Sequence, residues 1–172
     1  MTGPGPGPAL DRLWAGWRQE YVEKAEADEG CVLCRIVVSP LPADQTYVLH
    51  RDDHCLAVLN VYPYTSGHLM VLPLRHVAEP DELDATEGAA LWATVTDAIR
   101  ALRAAYLPAG FNVGANLGKS AGAGVPGHLH LHCVPRWGGD TNFMTTVAES
   151  RVLPEALGVS FSRLRAAWPS QG

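Results

Sequence analysis

Three of the seven histidines in the chain stand at alternate positions of one short run, "GHLHLHCVPRW", residues 127–137. Residues two apart on a strand point to the same face, so His128, His130 and His132 would line one side while the apolar residues between them face the core. Neutral imidazole is both a nucleophile and a proton carrier near neutral pH. The run therefore predicts a catalytic strand, although a solvated polar face or a histidine-rich metal site would show the same spacing.

A glycine-rich stretch, "NLGKSAGAGVPG" (116–127), comes directly before the histidines and holds four glycines in twelve positions. Backbone N–H groups in such a loop can approach phosphate oxygens closely, because glycine carries no side chain. Arg136 follows the histidines, and a guanidinium group is a favoured partner of phosphate. Together these residues favour a site for a small phosphate-bearing ligand.

The composition is typical of one globular domain, with 47% hydrophobic and 18% charged positions among 172 residues. A formal net charge of -5 argues against a nucleic-acid polymer as partner. The N-terminus shows neither a basic leader nor the apolar segment of a signal peptide, and no apolar run reaches the roughly 18 residues of a membrane span. We therefore expect a cytoplasmic protein without a membrane partner.

The chain has four cysteines, which we expect to be reduced in the cytoplasm. Cys31 and Cys34 form a "CVLC" run, whose spacing is that of half a metal site. Cys55 and Cys133 lie within apolar runs and are predicted to be inert thiols of the core.

Residues 1–8 alternate Gly and Pro and predict a disordered tail, which leaves residues 9–172 as a single domain. That domain begins with a predicted helix whose aromatic stripe would pack either on its own domain or on a partner subunit. The stripe consists of Leu13, Trp14, Trp17 and Tyr21.

Five short apolar or alternating runs predict strands, at 46–50, 54–60, 68–73, 111–116 and 128–134. Only "RDD" separates the first two, which favours an antiparallel hairpin. A long central helix is predicted between the third and fourth strands, with a capping box of Asp84 and Glu87 and a stop at Pro108 and Gly110. A second helix is predicted to begin at Pro154. The pattern indicates a compact α+β domain.

The run "GHLHLHCVP" resembles the His-x-His-x-His-x-x signature of the histidine-triad (HIT) superfamily, in which x is apolar. "CVLC", "AVLNVYPYTSGHLMVLPLRHV" (57–77) and "FNVGANLG" (111–118) follow the order and spacing of that family, so that the resemblance covers roughly residues 13–145. "LWAGWRQEYV" and "PRWGGDTNFM" are similar to the branch of diadenosine tetraphosphate phosphorylases, or ATP adenylyltransferases. The resemblance implies a five-stranded antiparallel sheet with one long central helix and a C-terminal helix, pairing into a ten-stranded homodimer.

The resemblance also implies a reaction. His130 would attack the α-phosphorus of a nucleoside polyphosphate, with diadenosine tetraphosphate as the leading substrate, and phosphate or water would resolve the nucleotidyl-histidine intermediate. His132 would hydrogen-bond the phosphate oxygens, and His68 would line the same pocket. The residues implied to hold the nucleotide and its phosphates are Asn60, Asn116, Ser120, Gly122, Gly124 and Arg136.

In zinc-containing members of the superfamily, an early Cys-x-x-Cys, a later histidine and the first triad histidine bind the metal. The matching residues here are Cys31, Cys34, His76 and His128, which implies a closed, structural zinc site. We expect no organic cofactor. The stretch "AGAGVPG" is one residue longer than in the commoner branches and lacks their Gln and Ser, which favours phosphate over water as acceptor.

Three other hypotheses remain open. The protein could be a purine nucleoside phosphoramidase or general hydrolase of the same superfamily, which would use the same nucleophile. It could be a zinc-containing nucleotide-binding module without turnover, although such a module would have no use for His130. Alternatively, the three triad histidines could themselves hold a catalytic zinc ion.

Overall fold

The computed structural model describes residues 30–140 and 155–169. The predicted tail at residues 1–8, the aromatic helix that follows it and the predicted helix start at Pro154 lie outside these ranges. Within the described residues, none of the helices combines the length and the apolar character that crossing a membrane requires.

The described residues form one antiparallel sheet of five strands, in the spatial order β1-β2-β3-β5-β4. The strands are β1 (Val48–Arg51), β2 (Cys55–Leu59), β3 (Leu69–Pro73), β4 (Gly110–Gly114) and β5 (Leu131–Arg136). β1 and β2 form the predicted hairpin, and β5 inserts between β3 and β4. The predicted α+β class and five-stranded antiparallel sheet are confirmed.

Helices cover both faces of the sheet. They are α1 (Val32–Val37), α2 (Ala43–Thr46), α3 (Ala85–Tyr106) and α4 (Leu157–Ala167), with 3-10 turns at Pro80–Glu82 and Lys119–Ala121. On one face, α3 and α4 bury the main core, which includes Leu69, Val95 and Leu164. On the other face, α1 packs Leu33 and Val37 against residues of β2 and β3. The sheet is therefore the middle layer of the domain.

The central helix begins where the sequence predicted, at the capping box. The Asp84 carboxylate accepts hydrogen bonds of 2.8 Å from the N–H groups of Thr86 and Glu87, and the Glu87 carboxylate accepts one of 3.0 Å from Asp84 N–H. The helix ends before Pro108, because Leu107 turns into the left-handed region with φ 47° and donates its N–H to Arg103 O. The apolar face of the helix, which includes Leu91, Val95 and Leu102, is buried.

The last strand begins later than predicted, at Leu131, so that His128 and His130 precede it. The pairing of β5 with β3 ends at Leu131 and Val71, two residues before Pro73. Proline has no N–H to donate to a ladder, and the N–H of Leu129 instead binds Val77 O at 2.6 Å. The prediction of a strand from residue 128 was therefore wrong, although Leu129 and Leu131 do face the core as expected.

The turn before β3 contains a glycine that no other residue can replace without strain. Gly67 has φ +80°, and a Cβ there would lie 2.8 Å from Tyr106 Cε2 and 3.1 Å from Leu102 Cδ2. We expect Gly67→Ala to lower the free energy of unfolding by about 1–3 kcal/mol, because it adds backbone strain and overpacking. Urea unfolding measures this change.

Gly88→Ala is the matched control, since Gly88 lies inside α3 and a Cβ there meets nothing within 4 Å. It should raise the free energy of unfolding by about 0.5–1 kcal/mol through helix propensity. Equal effects of the two substitutions would contradict the assigned strain at Gly67.

Candidate active site

Two of the three triad histidines, His130 and His132, line a cavity on the α1 side of the sheet, which we call the histidine cavity. The other lining residues are Leu33, Asn60, Tyr62, Tyr64, Met70, Asn116, Gly122, Gly124 and Val125. The cavity thus combines polar side chains and loop backbone with an apolar wall.

The geometry of His130 assigns its tautomer. Its Nδ1 lies 2.7 Å from the backbone oxygen of His128, and a carbonyl can only accept, so Nδ1 carries the proton. In the neutral ring, Nε2 is then left with its lone pair. His130 is only 6% exposed, and this burial lowers its pKa, against the opposing effect of the hydrogen bond to His128. The ring is therefore held as a neutral imidazole with a nucleophilic Nε2.

A second pair of rings meets beside it. The N–H of Tyr64 donates to His68 Nδ1 at 3.1 Å, so in the neutral ring the proton of His68 is on Nε2. His68 Nε2 lies 2.9 Å from His132 Nδ1 and donates to it. His132 therefore presents an N–H from its own Nε2, while Tyr64 packs over His68 with ring centroids 4.7 Å apart. This chain of hydrogen bonds supplies a donor beside the nucleophile.

Two asparagines flank these rings. Asn60 accepts the N–H of Tyr62 at 2.9 Å through Oδ1, and its Nδ2 lies 3.5 Å from both ring nitrogens of His68. Asn116 donates to Gly122 O at 3.5 Å and so ties the glycine-rich loop to the end of β4. Both amide side chains line the histidine cavity, and their binding of a ligand stays a prediction.

The glycine-rich loop closes over the cavity in part. Gly118 and Gly122 have φ of 75° and 85°, a conformation that favours glycine, and Ala123 N–H returns to Gly118 O. Gly122 and Gly124 line the cavity, whereas Ser120 is exposed and is not among its lining residues.

Arg136 lies at the far end of β5 from the triad. Its guanidinium forms two hydrogen bonds with the Asp140 carboxylate, Nε to Oδ2 at 2.5 Å and Nη2 to Oδ1 at 2.8 Å, and a third with Asn112 Oδ1 at 2.6 Å. Arg136 is not among the residues that line the histidine cavity. These contacts connect β4, β5 and the turn that follows β5. They indicate that Arg136 stabilises this part of the fold rather than that it contacts a phosphate.

The remaining triad histidine belongs to a different group. Cys31, Cys34, His76 and His128 place one ligand atom each within 4.8 Å of one another, and we call them the Cys2His2 cluster. Cys34 Sγ lies 3.1 Å from His76 Nδ1 and 3.4 Å from His128 Nδ1, and Cys31 Sγ lies 3.5 Å from His128 Nδ1. In a tetrahedral zinc site such sulfur and nitrogen ligands are about 3.6 Å apart. The donor set and its spacing therefore fit a metal ion.

The orientation of His128 also fits. Its Nε2 lies 2.9 Å from Pro73 O and must donate to it, which leaves Nδ1 unprotonated toward the two sulfurs in the neutral ring. Burial lowers the pKa of His128 and so favours that neutral form. Burial, with Cys31 beside it, raises the pKa of Cys34, so a bound cation would favour the thiolate form of Cys34.

The other two cysteines have no part in this group. Cys55 and Cys133 are fully buried, and burial raises the pKa of each to about 12. Both stay protonated at neutral pH, as expected of inert core thiols.

The apolar wall of the cavity was not anticipated from the sequence. Leu33 stands between the two cysteines, Met70 follows His68 on β3, and Val125 precedes the triad. Only their closeness in the sequence to the cysteines and histidines could have indicated that they line the cavity, because apolar residues at such positions usually belong to the core alone.

The chain is similar to known proteins along most of its length. A family model described as "HIT domain" matches residues 42–139. The chain is 40% identical over 175 residues to "AP-4-A phosphorylase" of Mycobacterium tuberculosis, which covers 98% of this chain and 90% of that protein. It is 32% identical over 115 residues to "Protein hit" of Bacillus subtilis, covering 67% of this chain and 77% of that protein.

Solved structures show the same likeness. A zinc-bound histidine triad family protein from Mycobacterium smegmatis aligns with a TM-score of 0.65 and 32% identity, covering 80% of this chain and 92% of that one. A histidine triad nucleotide-binding protein from Sulfolobus tokodaii aligns with a TM-score of 0.65 and 28% identity, covering 80% and 91%. The family model spans all five strands and the three triad histidines, and the chain belongs to the HIT family.

Proposed function

We propose that this protein cleaves dinucleoside polyphosphates, with diadenosine tetraphosphate as the leading substrate, through a covalent nucleotidyl-His130 intermediate. The observation that carries the proposal is the hydrogen bond from His130 Nδ1 to His128 O, which directs the lone pair to Nε2 in a ring that lines the cavity. The similarity to a protein named "AP-4-A phosphorylase" over 98% of the chain supports the choice of substrate.

In the first step, Nε2 of His130 attacks the α-phosphorus, so that a P–N bond forms and the P–O bond to the leaving nucleotide breaks. From diadenosine tetraphosphate this step releases ATP and leaves AMP on His130. The N–H of His132 would bind the phosphate oxygens, and the proposal is supported by the position of Gly122 and Gly124, which line the same cavity. Asn60 would hold the ribose, and Asn116 would help to place the phosphate.

In the second step an acceptor attacks the phosphorus and displaces His130, with phosphate giving ADP and water giving AMP. We favour phosphate, because the loop before the triad contains Val125 and small residues in place of the side chains that direct water in other branches. The contribution of Ser120 to this step, and that of Arg136 to distal phosphates, remain predictions.

We also propose that the Cys2His2 cluster holds a structural zinc ion. Its four side chains would fill all four coordination positions of the ion and leave none for substrate. Neither His130 nor His132 belongs to this cluster, which counts against zinc chemistry at the triad. We further propose a homodimer, in which the edge strand β4, with exposed residues such as Val113, extends the sheet to ten strands.

Incubation with diadenosine tetraphosphate, with and without inorganic phosphate, tests the reaction directly. We expect ATP plus ADP, formed only when phosphate is present and measured by anion-exchange chromatography. His130→Ala should reduce turnover by at least about a thousandfold, because it removes the nucleophile.

His54→Ala, in the β1–β2 turn, is the control that removes a histidine outside the cavity. It should leave turnover unchanged. ATP plus AMP without phosphate would make the protein a hydrolase, and full activity of His130→Ala would contradict the covalent route. Cleavage of nucleoside phosphoramidates alone would favour the phosphoramidase hypothesis.

The pH dependence of kcat/KM follows from the buried nucleophile. Burial holds the pKa of His130 below the ordinary value of 6.5, so the reactive neutral ring persists as the pH falls to that value. We expect the acid limb of kcat/KM for diadenosine tetraphosphate to have its midpoint below pH 6.5. A midpoint at or above pH 6.5, measured at constant ionic strength, would contradict a desolvated neutral nucleophile.

The metal proposal predicts a loss of zinc and of stability together. Cys34→Ser should lower the bound zinc, measured by mass spectrometry, and the Tm, which falls by about 2–4 °C for each kcal/mol lost in a domain of this size. Cys55→Ala is the matched control, because it removes a buried thiol outside the cluster and should keep the zinc. A metal-free wild type of unchanged Tm would argue against a structural ion.

A further inference from the structure

We propose that the Cys2His2 cluster and the histidine cavity are thermodynamically coupled, so that metal binding raises nucleotide affinity and nucleotide binding slows metal release. This inference rests on the proposed function, since it takes a purine nucleotide as the ligand of the cavity. Two structural links connect the sites, one through α1 and one through His128.

The first link is helix α1, which contributes to both sites. Cys31 and Cys34 belong to the cluster, and Leu33 between them is 3% exposed and lines the cavity. The helix spans six residues, Val32–Val37, and a helix of that length is not stable without tertiary contacts. Its N-terminal end is capped by the sulfur of Cys31, which accepts the N–H of Cys34 at 3.5 Å.

Besides a hydrogen bond from Arg51 Nη1 to Val37 O, two sources of contact hold α1 on the sheet. Leu33 and Val37 pack against Leu56, Val58 and Leu72. The cluster ties the same end of the helix to His76 and His128, which lie 42 and 94 residues from Cys34 in the sequence. Releasing the metal removes the second source, and α1 then dissociates more readily from the sheet and takes Leu33 out of the cavity wall.

The second link is His128. Its ring contributes Nδ1 to the cluster, and its backbone oxygen accepts the proton of His130 Nδ1 at 2.7 Å. Nε2 of the same ring donates a hydrogen bond of 2.9 Å to Pro73 O, which fixes the orientation of the ring. The backbone carbonyl that selects the tautomer of His130 thus belongs to a residue whose ring is held in the metal cluster.

These links define two states, one with α1 docked and both sites complete, and one with α1 undocked and both sites open. A metal ion and a nucleotide each bind the docked state more tightly, so each must increase the affinity for the other by the same factor. Side chains of α1 whose only contacts are with the sheet stabilise the docked state without belonging to either site.

AMP is the nucleotide probe and zinc is the metal probe. We expect isothermal titration to show that AMP binds the zinc-loaded protein at least about fivefold more tightly than the chelated protein, which is at the low end of typical couplings. Saturating AMP should slow zinc release to a chromophoric chelator by a similar factor. The measurement of zinc release starts from the zinc-loaded protein. It therefore remains valid even if the protein without zinc unfolds.

Leu33→Ala separates coupling from a general gain in stability. It keeps all four metal ligands and the link through His128, so zinc content should stay at the wild-type level while AMP affinity falls and AMP slows zinc release less than in wild type. Val37→Ala is the matched control, because Val37 packs on the same sheet residues but does not line the cavity. In that variant the protection of zinc by AMP should persist.

The outcomes are distinguishable. Equal AMP affinity with and without zinc, or zinc release that AMP does not slow, overturns the coupling and leaves the proposed function standing. The same protection in Leu33→Ala as in wild type also overturns it, because stabilisation would then be general. Failure of zinc-loaded wild type to bind AMP overturns the coupling and the proposed function together.

Discussion

The proposed chemistry depends on one hydrogen bond, from His130 Nδ1 to the backbone oxygen of His128. An imidazole that could exchange tautomers would present its lone pair from either nitrogen, and the tautomer with its proton on Nε2 would be unproductive. The bond requires a carbonyl that does not move, and His128 meets this requirement because Pro73 O and the Cys2His2 cluster hold its ring on both sides. A side chain that takes no part at the cavity therefore determines which atom of its neighbour is reactive.

The two faces of the sheet differ in what they carry: one holds the larger core, and the other holds the histidine cavity and the Cys2His2 cluster. One face is buried against the 22-residue helix α3 and against α4, and it contains the larger core. Within residues 30–140 and 155–169, the short helix α1 and the glycine-rich loop cover the other face, and here the cavity and the cluster lie. The cavity and the cluster therefore lie in the thinner layer, on the side of the sheet away from the larger core.

Much of this arrangement could be predicted from residue patterns, because the deciding interactions are local. The strands follow apolar alternation, and the central helix follows its capping box of Asp84 and Glu87. The late start of β5 was missed, since it depends on the missing N–H of Pro73, which becomes a neighbour only through strand pairing. Leu33 was missed for a similar reason: an apolar residue in a cavity wall has the same sequence pattern as one in the core.

The residues that line the cavity also bear on how an acidic chain would bind the proposed polyphosphate substrate. Among the described residues that line it there is no lysine or arginine, and the polar groups are imidazoles, amides and loop backbone. A fixed cation would bind substrate and the highly charged product alike, whereas oriented neutral dipoles act most strongly on charge that develops in the transition state. The arginine nearest in sequence to the triad, Arg136, is already neutralised by Asp140. In the proposed reaction, the site therefore stabilises the transferring phosphoryl group without retaining the nucleotide that leaves.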